Sequence, residues 1–365
     1  MTDRKIHICY LANALSIHVQ KWVDYFSKRN YKISVISFSP GNIKGAEVYF
    51  VNLKFFSRFK LKYILGLPRV RKLLAQLKPD VLHAIYLSSY GLVGALSNVH
   101  PLVISAIGSD VLVTPKESFI KRILAGYAVK KADLIHSQAD HLTKELMSLG
   151  AKPERVITFS YGIDLKEIRQ KEKINSLDKK QKVVISTRAL EPIYNLELLI
   201  RALPGILKEM PELKIWIVGG GREEKKLKKL ASELKVNKSI EFLGKLSNKD
   251  VLDRLGESDV YVSTSLSDGS SISLLEAMAK GAFPVVTDIP ANQEWIKNNI
   301  NGFLCPTDNP DQLARMVLKA LADDNLRERA AEQNQIIVQE KASYQRNIGI
   351  MEKQYLRLIN GQGSK

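Results

Sequence analysis

The chain has 365 residues, 45% hydrophobic and 25% charged, with 55 Lys and Arg against 38 Asp and Glu for a net charge of +17. That length suits two domains, each able to bury its own core, and the composition excludes a disordered chain. The charge leaves three anionic partner classes open (membrane surface, phosphorylated substrate, nucleic acid), or simple solubility.

No apolar run of about 18 residues occurs, so no transmembrane helix is expected; the opening MTDRKIHICYLA shows no signal-peptide pattern, and a cytoplasmic location is expected. Cys9 and Cys305 are the two cysteines. Both fall in expected strands without metal-ligand spacing, which reads as reduced core residues and no metal site.

In chain order, short β-branched runs alternate with helical patterns: KIHICYLA, a helix from about His18 to Lys28, YKISVISF, VYFVNL, a helix around Leu61 to Leu77, and DVLHAI. PLVISAI follows, then a helix around Lys116 to Lys131, ADLIHS, a helix around Ala139 to Leu149, and RVITFS. This alternation predicts a doubly wound parallel sheet, and the first domain is placed at 1–164. Leu165 to Gln181 is dense in charge and reads as a linker or exposed helix. A second series spans 182–343: KVVISTR, the helix Leu196 to Glu209, LKIWIVGGG, the helix Arg222 to Leu234, SIEFLG, DVYVSTS, a helix near Ser271 to Lys280, and FPVVTD. The tail from Asn309 reads as helices. The last, 344–360, carries Ile348, Met351, Tyr355 and Leu358 at three- and four-residue intervals and needs another surface to cover.

In such sheets ligands bind beyond the carboxyl ends of strands, where helix N-termini offer amides to anions. The segment VYVSTSLSDGSSISLLEAMAKGAFPVVTD is a strand, a small-residue loop and a helix stopped at Gly281. A helix start at Ser270, Ser271 and Ile272 would aim amides at a diphosphate, and Asp268 and Glu276 would face the same loop, one holding a ribose and one a sugar ring. Two plainer readings stay open: a Ser273 to Glu276 capping box, and an Asp268-Gly269 turn. Gly219, Gly220 and Gly221 after LKIWIV suit close backbone approach to a ligand, or a tight strand-to-helix turn. No G-x-G-x-x-G follows the first strand of either series, which argues against an NAD or FAD enzyme.

The segment SDGSSISLLEAMAKGAFPVV resembles the signature of retaining glycosyltransferases of family 4: an acid, seven residues, a Glu, then A-M-A-x-G-x-P-V-V. Weaker similarity runs through VISTRALEPIYNLELLIRALP, LKIWIVGGG, IEFLGKLS, ISAIGSDVL and TFSYGIDL. The resemblance implies the GT-B architecture, two Rossmann-like α/β domains facing across a cleft, with the last helix returning to the first domain. It implies a metal-independent, retaining hexosyltransferase that needs no cofactor beyond its nucleotide-sugar donor. By resemblance Glu276 binds the donor ribose, Asp268 the sugar hydroxyls, and Arg188 the diphosphate, with Gly219, Gly220, Gly269 and the amides of Ser270, Ser271 and Ile272. Gly108, Ser109 and Asp110 form an acceptor-side loop, with Asn13 in the loop from Ala12 to Ile17 and His18 beside it as a catalytic candidate. Three departures stand out. The first acid is Asp268, not Glu; Ile193 occupies the usual Lys position, with Lys245 as the substitute cation; and Ile107 replaces a His before Gly108.

From Lys54 to Lys78, KFFSRFKLKYILGLPRVRKLLAQLK combines basic residues with Phe55, Phe56, Phe59 and Tyr63, a mixture suited to an anionic membrane surface. The plainer reading packs Leu61, Ile64, Leu65 and Leu73 into the core. The expected activity is transfer from a nucleoside diphosphate sugar, a UDP-sugar foremost with guanosine and adenosine left open, to a hydroxyl of a glycan or lipid-linked acceptor in polysaccharide or glycolipid biosynthesis. The rivals are a nucleotide-sugar epimerase of this architecture and a nonenzymatic nucleic-acid-binding protein. Nucleic acid is not an expected partner, because the charge follows no recognisable nucleic-acid module.

Overall fold

A computed structural model describes residues 5–53, 62–169 and 181–361. The chain forms two compact units: residues up to Tyr161 together with those from Arg346 onward, and Gly162–Gln345.

The first unit holds β1 (His7–Leu11), β2 (Lys32–Ser37), β3 (Glu47–Phe50), β4 (Val81–Ile85), β5 (Leu102–Ala106), β6 (Leu134–Ser137) and β7 (Val156–Thr158). Among the described residues they make one parallel sheet in the order β3-β2-β1-β4-β5-β6-β7. Every residue of β1, β4 and β5 is buried, because helices cover both faces of a central parallel strand. The order reverses between β1 and β4, so the carboxyl ends of these strands open a crevice.

The second unit repeats the plan with β8 (Val183–Ser186), β9 (Lys214–Val218), β10 (Ile240–Gly244), β11 (Val260–Ser263), β12 (Phe283–Thr287) and β13 (Phe303–Cys305). Their order is β10-β9-β8-β11-β12-β13, with the reversal between β8 and β11. Cys9 and Cys305 are buried and unpaired, and burial pushes both thiols up to about 12.

Local structure departs from the sequence reading in several places. The helix expected around Leu61 to Leu77 is two pieces, Lys62–Leu65 and Leu67–Leu77, separated at Gly66 ahead of Pro68. Tyr63, expected at a membrane interface, instead packs edge-on against Phe38 and Tyr90. Ile64 and Leu65, expected in the core on the alternative reading, are exposed. Residues 54–61 of that basic segment lie outside the described residues. Helices Leu92–Ser97 and Asn248–Glu257 were not legible in the sequence. The expected linker begins as the helix Leu165–Arg169, whose Ile168 is buried in the second unit's core; 170–180 lie outside the described residues. Just before it, Gly162 has φ +72°, and a Cβ there would stand 2.4 Å from the Ala342 carbonyl oxygen. Only glycine fits, and the neighbouring Ile163 accordingly pairs with Ala342 and Tyr344 through backbone hydrogen bonds.

The final helix, Tyr344–Ile359, buries Asn347, Ile348, Met351 and Tyr355. Tyr355 enters a polar thread inside the first unit. His83 meets the Tyr355 hydroxyl through Nδ1 and the Ser105 hydroxyl through Nε2 at 2.7 Å. Ser105 continues to His136 Nδ1 at 2.9 Å, and His136 Nε2 donates to the Phe159 carbonyl at 2.9 Å. Glu352 fastens the same helix by accepting from the hydroxyls of Tyr25 and Tyr31, both at 2.9 Å. Burial drives the His83 pKa well below its ordinary value and that of His136 down to about 4.

Tyr355→Phe should cost about 1–3 kcal/mol, because it leaves a buried imidazole nitrogen without its partner; thermal unfolding measures the loss. Because the unfolded chain takes up protons at the ordinary imidazole value of 6.5 that folded His136 refuses until about 4, stability present above 6.5 should drain away as pH falls between those values. A flat profile of melting temperature across that window would contradict the assignment of neutral buried imidazoles.

Candidate active site

At the carboxyl end of β8 the chain turns at Thr187 and delivers Arg188 to the start of the helix Ile272–Lys280. Arg188 Nη1 donates to Ser271 Oγ and Ser273 Oγ, each at 2.8 Å, and Nη2 donates to Asp268 Oδ2 at 2.6 Å. Its guanidinium lies 4.0 Å from the centroid of the Tyr194 ring. The residue is only 8% exposed. Burial alone would lower its pKa, but Asp268, Tyr261 and Tyr194 outweigh that and hold it above the ordinary value. A permanent cation thus sits against a helix N-terminus, whose dipole has the same sign, with one carboxylate to balance it. Three buried side-chain atoms here have no hydrogen-bond partner: Ser186 Oγ, Thr187 Oγ1 and Arg188 Nε.

The helix is capped by Ser271, whose Oγ accepts from the Leu274 amide at 3.3 Å, and it stops at Gly281 in the left-handed conformation. The Ser273 to Glu276 capping box is therefore not formed. Ser273 instead accepts from Arg188 and from the Tyr261 hydroxyl at 3.0 Å. Asp268 does make the plain turn contact, its Oδ1 accepting from the Gly269 amide at 2.8 Å, while its Oδ2 holds Arg188. Ser270 is buried, Ile272 is the first helical residue, and Glu276 stands about one turn further along, half-buried.

The glycine triplet has a packing reason of its own. A Cβ on Gly219 would meet the Arg188 carbonyl oxygen at 2.5 Å, and one on Gly221 the Leu190 carbonyl oxygen at 2.3 Å. These glycines let the loop carrying Arg188 lie directly on the loop after β9. Lys245, just after β10, runs its stem along Gly220, with Cε 3.4 Å from where a Cβ would stand. Ile193 is exposed, and its carbonyl accepts from the Leu266 amide at 2.8 Å, which ties the loop after β8 to the loop after β11. Arg188, Gly219, Gly220, Lys245, Asp268 and Ser271 are thereby gathered at the carboxyl ends of β8 to β11.

The residues expected on the acceptor side lie in the first unit, beyond β1 and β5. Asp110, expected to line a binding loop, is fully buried, and its carboxylate accepts from the amides of Leu87 (2.6 Å), Ile107 (3.0 Å) and Gly108 (2.8 Å). It shapes that loop from inside and offers nothing to solvent. Burial raises its pKa against the pull of those amides. Ser109 is exposed and bonded to the Tyr86 hydroxyl at 2.8 Å. Asn13 is exposed and turns its own loop, Oδ1 accepting from the Leu15 amide at 3.0 Å. His18, the second residue of the helix Ile17–Ser27, packs its ring 5.0 Å from Tyr161. Burial, aided by Lys21, lowers its pKa to about 4, so the imidazole is neutral near pH 7.

Sequence reasoning passed over Tyr194, Tyr261 and Ser273 as parts of the Arg188 cradle. Tyr194 adjoins the departure at Ile193, and a buried cation needing a ring beneath it was the available signal; nothing in spacing pointed to Tyr261.

The glycosyl transferases group 1 family matches residues 167–336, and the glycosyl transferase 4-like family matches residues 7–139. The chain is 27% identical over 214 residues to the UDP-N-acetylglucosamine–peptide N-acetylglucosaminyltransferase GtfA subunit of Streptococcus agalactiae, a match covering 58% of this chain and 42% of that protein. It spans about half the length of the curated relatives it matches. Its fold is similar to sucrose-phosphate synthase from Thermosynechococcus elongatus, with TM-score 0.83 and 14% identity over 98% of this chain and 100% of that one. It is also similar to Anabaena HepE in complex with UDP and glucose, with TM-score 0.79 and 19% identity over 96% and 99%. The two glycosyltransferase family matches fall one on each Rossmann-like unit, and the chain has the GT-B fold.

Proposed function

We propose that this protein transfers a sugar from a nucleoside diphosphate sugar, with uridine as the base, to a hydroxyl of a glycan or lipid-linked acceptor in polysaccharide or glycolipid biosynthesis. The observation that carries the reading is the buried Arg188 fixed at the N-terminus of Ile272–Lys280 beside the partnerless Ser186, Thr187 and Arg188 atoms. A departing diphosphate needs preorganised positive charge more than it needs a protein base, and a cation held at a helix start supplies it without reorganisation. The ligands bound in the similar Anabaena HepE structures, UDP with glucose and UDP-glucose, support the donor class.

On this reading the anomeric C–O bond to the diphosphate breaks as the acceptor hydroxyl bonds to the same carbon, and the hydroxyl proton leaves to the departing phosphate. Arg188 and the amides of Ser271 and Ile272 face the diphosphate, with Ser270, Gly269, Gly219 and Gly220 close by. Asp268 orients Arg188 and the sugar hydroxyls, Glu276 holds the ribose, and Lys245 supplies the cation that Ile193 does not. His18 and Asn13 meet the acceptor with Ser109 on the loop that Asp110 braces. We propose retention of configuration and no need of a divalent cation; product anomer by NMR, and turnover in a chelator, test the two. Among the described residues no helix is long and apolar enough to cross a membrane, and the proposed working place is the cytoplasm, at the inner face of the membrane.

Glu276→Ala should remove donor turnover while leaving the melting temperature close to that of the parent; intact turnover would refute the ribose assignment. Asp268→Ala leaves a buried guanidinium unpaired and should cost about 3–5 kcal/mol of stability, measured by denaturant unfolding. In a thermal-shift panel, uridine diphosphate sugars should outstrip guanosine and adenosine ones, with about 2.7 kcal/mol of stabilisation at a hundredfold excess over Kd. Equal shifts from all three would remove the choice of base.

A further inference from the structure

Asp268 uses both of its carboxylate oxygens within the protein. Oδ2 accepts from Arg188 Nη2 at 2.6 Å, and Oδ1 accepts from the Gly269 amide at 2.8 Å. Of the two ion-pair partners the carboxylate lies nearer solvent, its side chain 17% exposed against 9% for Arg188. The other hydrogen bonds of the guanidinium go to neutral hydroxyls, those of Ser271 and Ser273. Among the described residues Asp268 is therefore the one anion in hydrogen-bond contact with Arg188.

That pairing competes with any anion drawn to the same cation. Two like charges brought to within about 4–6 Å of each other repel, and in a partly buried site solvent ions screen the repulsion poorly. Arg188 and the N-terminus of Ile272–Lys280 together offer a diphosphate one full positive charge and roughly half of another. With the carboxylate on Nη2, most of that attraction is already cancelled. The Oδ1 contact belongs to the turn at Gly269, so only the Oδ2 contact stands in the way of an arriving phosphate oxygen.

We infer that Asp268 is an exchangeable counter-ion: it holds Arg188 until a nucleoside diphosphate sugar arrives, yields Nη2 to the diphosphate and turns its Oδ2 to the sugar hydroxyls. When the sugar leaves with the acceptor those hydroxyls leave too, and the carboxylate returns to Arg188 and helps to expel the nucleoside diphosphate. The inference rests on the donor reading above and adds to it a part in product release. It requires opposite signs in one variant. Asp268→Asn keeps an oxygen for Nη2 and removes the charge, so stability falls while nucleoside diphosphate binding tightens. A carboxylate that only built the loop would, when lost, loosen the site and weaken binding.

The test is calorimetric titration of the full chain with UDP, GDP and ADP, with melting temperatures taken alongside. Asp268→Asn should bind the nucleoside diphosphate that wild type prefers at least about tenfold more tightly, and melt lower. The charge-conserving Asp268→Glu should stay within about threefold of wild-type affinity. Unchanged or weaker binding by Asp268→Asn overturns the exchange and leaves the donor reading standing. Failure of wild type to bind any of the three removes the donor reading and this inference with it. A wild-type structure with the bound nucleoside diphosphate decides the matter without a variant: Asp268 Oδ2 should lie beyond hydrogen-bond distance of Arg188 Nη2, and a pair retained at 2.6 Å sinks the proposal.

Discussion

The loops after β8 and β11 in the second unit turn on the buried cation Arg188. Arg188 cannot be deprotonated in a protein, and burying it without partners would cost several kcal/mol. The fold answers with a carboxylate, two hydroxyls and an aromatic ring, drawn from two segments: Asp268, Ser271 and Ser273 around the helix start, and Tyr194 from the loop after β8. Once these are in place the loops after β8 and β11 have little freedom. The Ile193 to Leu266 backbone bond and the bond from Thr264 to the Tyr194 carbonyl follow from the same registration.

The glycines after β9 serve this arrangement as much as any ligand. Side chains at Gly219 or Gly221 would push the Arg188 loop off the neighbouring strand end. The first unit uses the opposite device. Its buried carboxylate, Asp110, is held by the backbone amides of Leu87, Ile107 and Gly108, which brace its loop. The two units share a strand plan but place their fixed charges by different means.

The parallel-sheet class was readable because strands such as HICYL, VLHAI and LVISA are continuous apolar runs, the mark of strands covered on both faces, and because helical periodicity intervenes between them. The signature from Asp268 to Val286 stands as contiguous sequence, so the helix start and its small-residue loop were legible with nearly correct bounds. Helices Leu92–Ser97 and Asn248–Glu257 were missed because the one is short and apolar throughout and the other is mostly polar, leaving little period to read.

What the sequence determined by itself was therefore local: element order, the cap-rich turn before Ile272, the stop at Gly281, and the apolar stripe of the final helix. Tertiary structure alone decided the pairings between residues distant in the chain. Arg188 finds Asp268 across 80 positions, and His83 finds Tyr355 across 272. It also decided that Asp110 turns inward and that Phe119, Ile120 and Ile123 of the helix Phe119–Lys131 turn outward, with Ala125, Ala128 and Val129 toward the core. Periodicity reports that a helix has an apolar side, but which side meets the core depends on the shape of the surface beneath it, and here that surface accepts only alanine and valine.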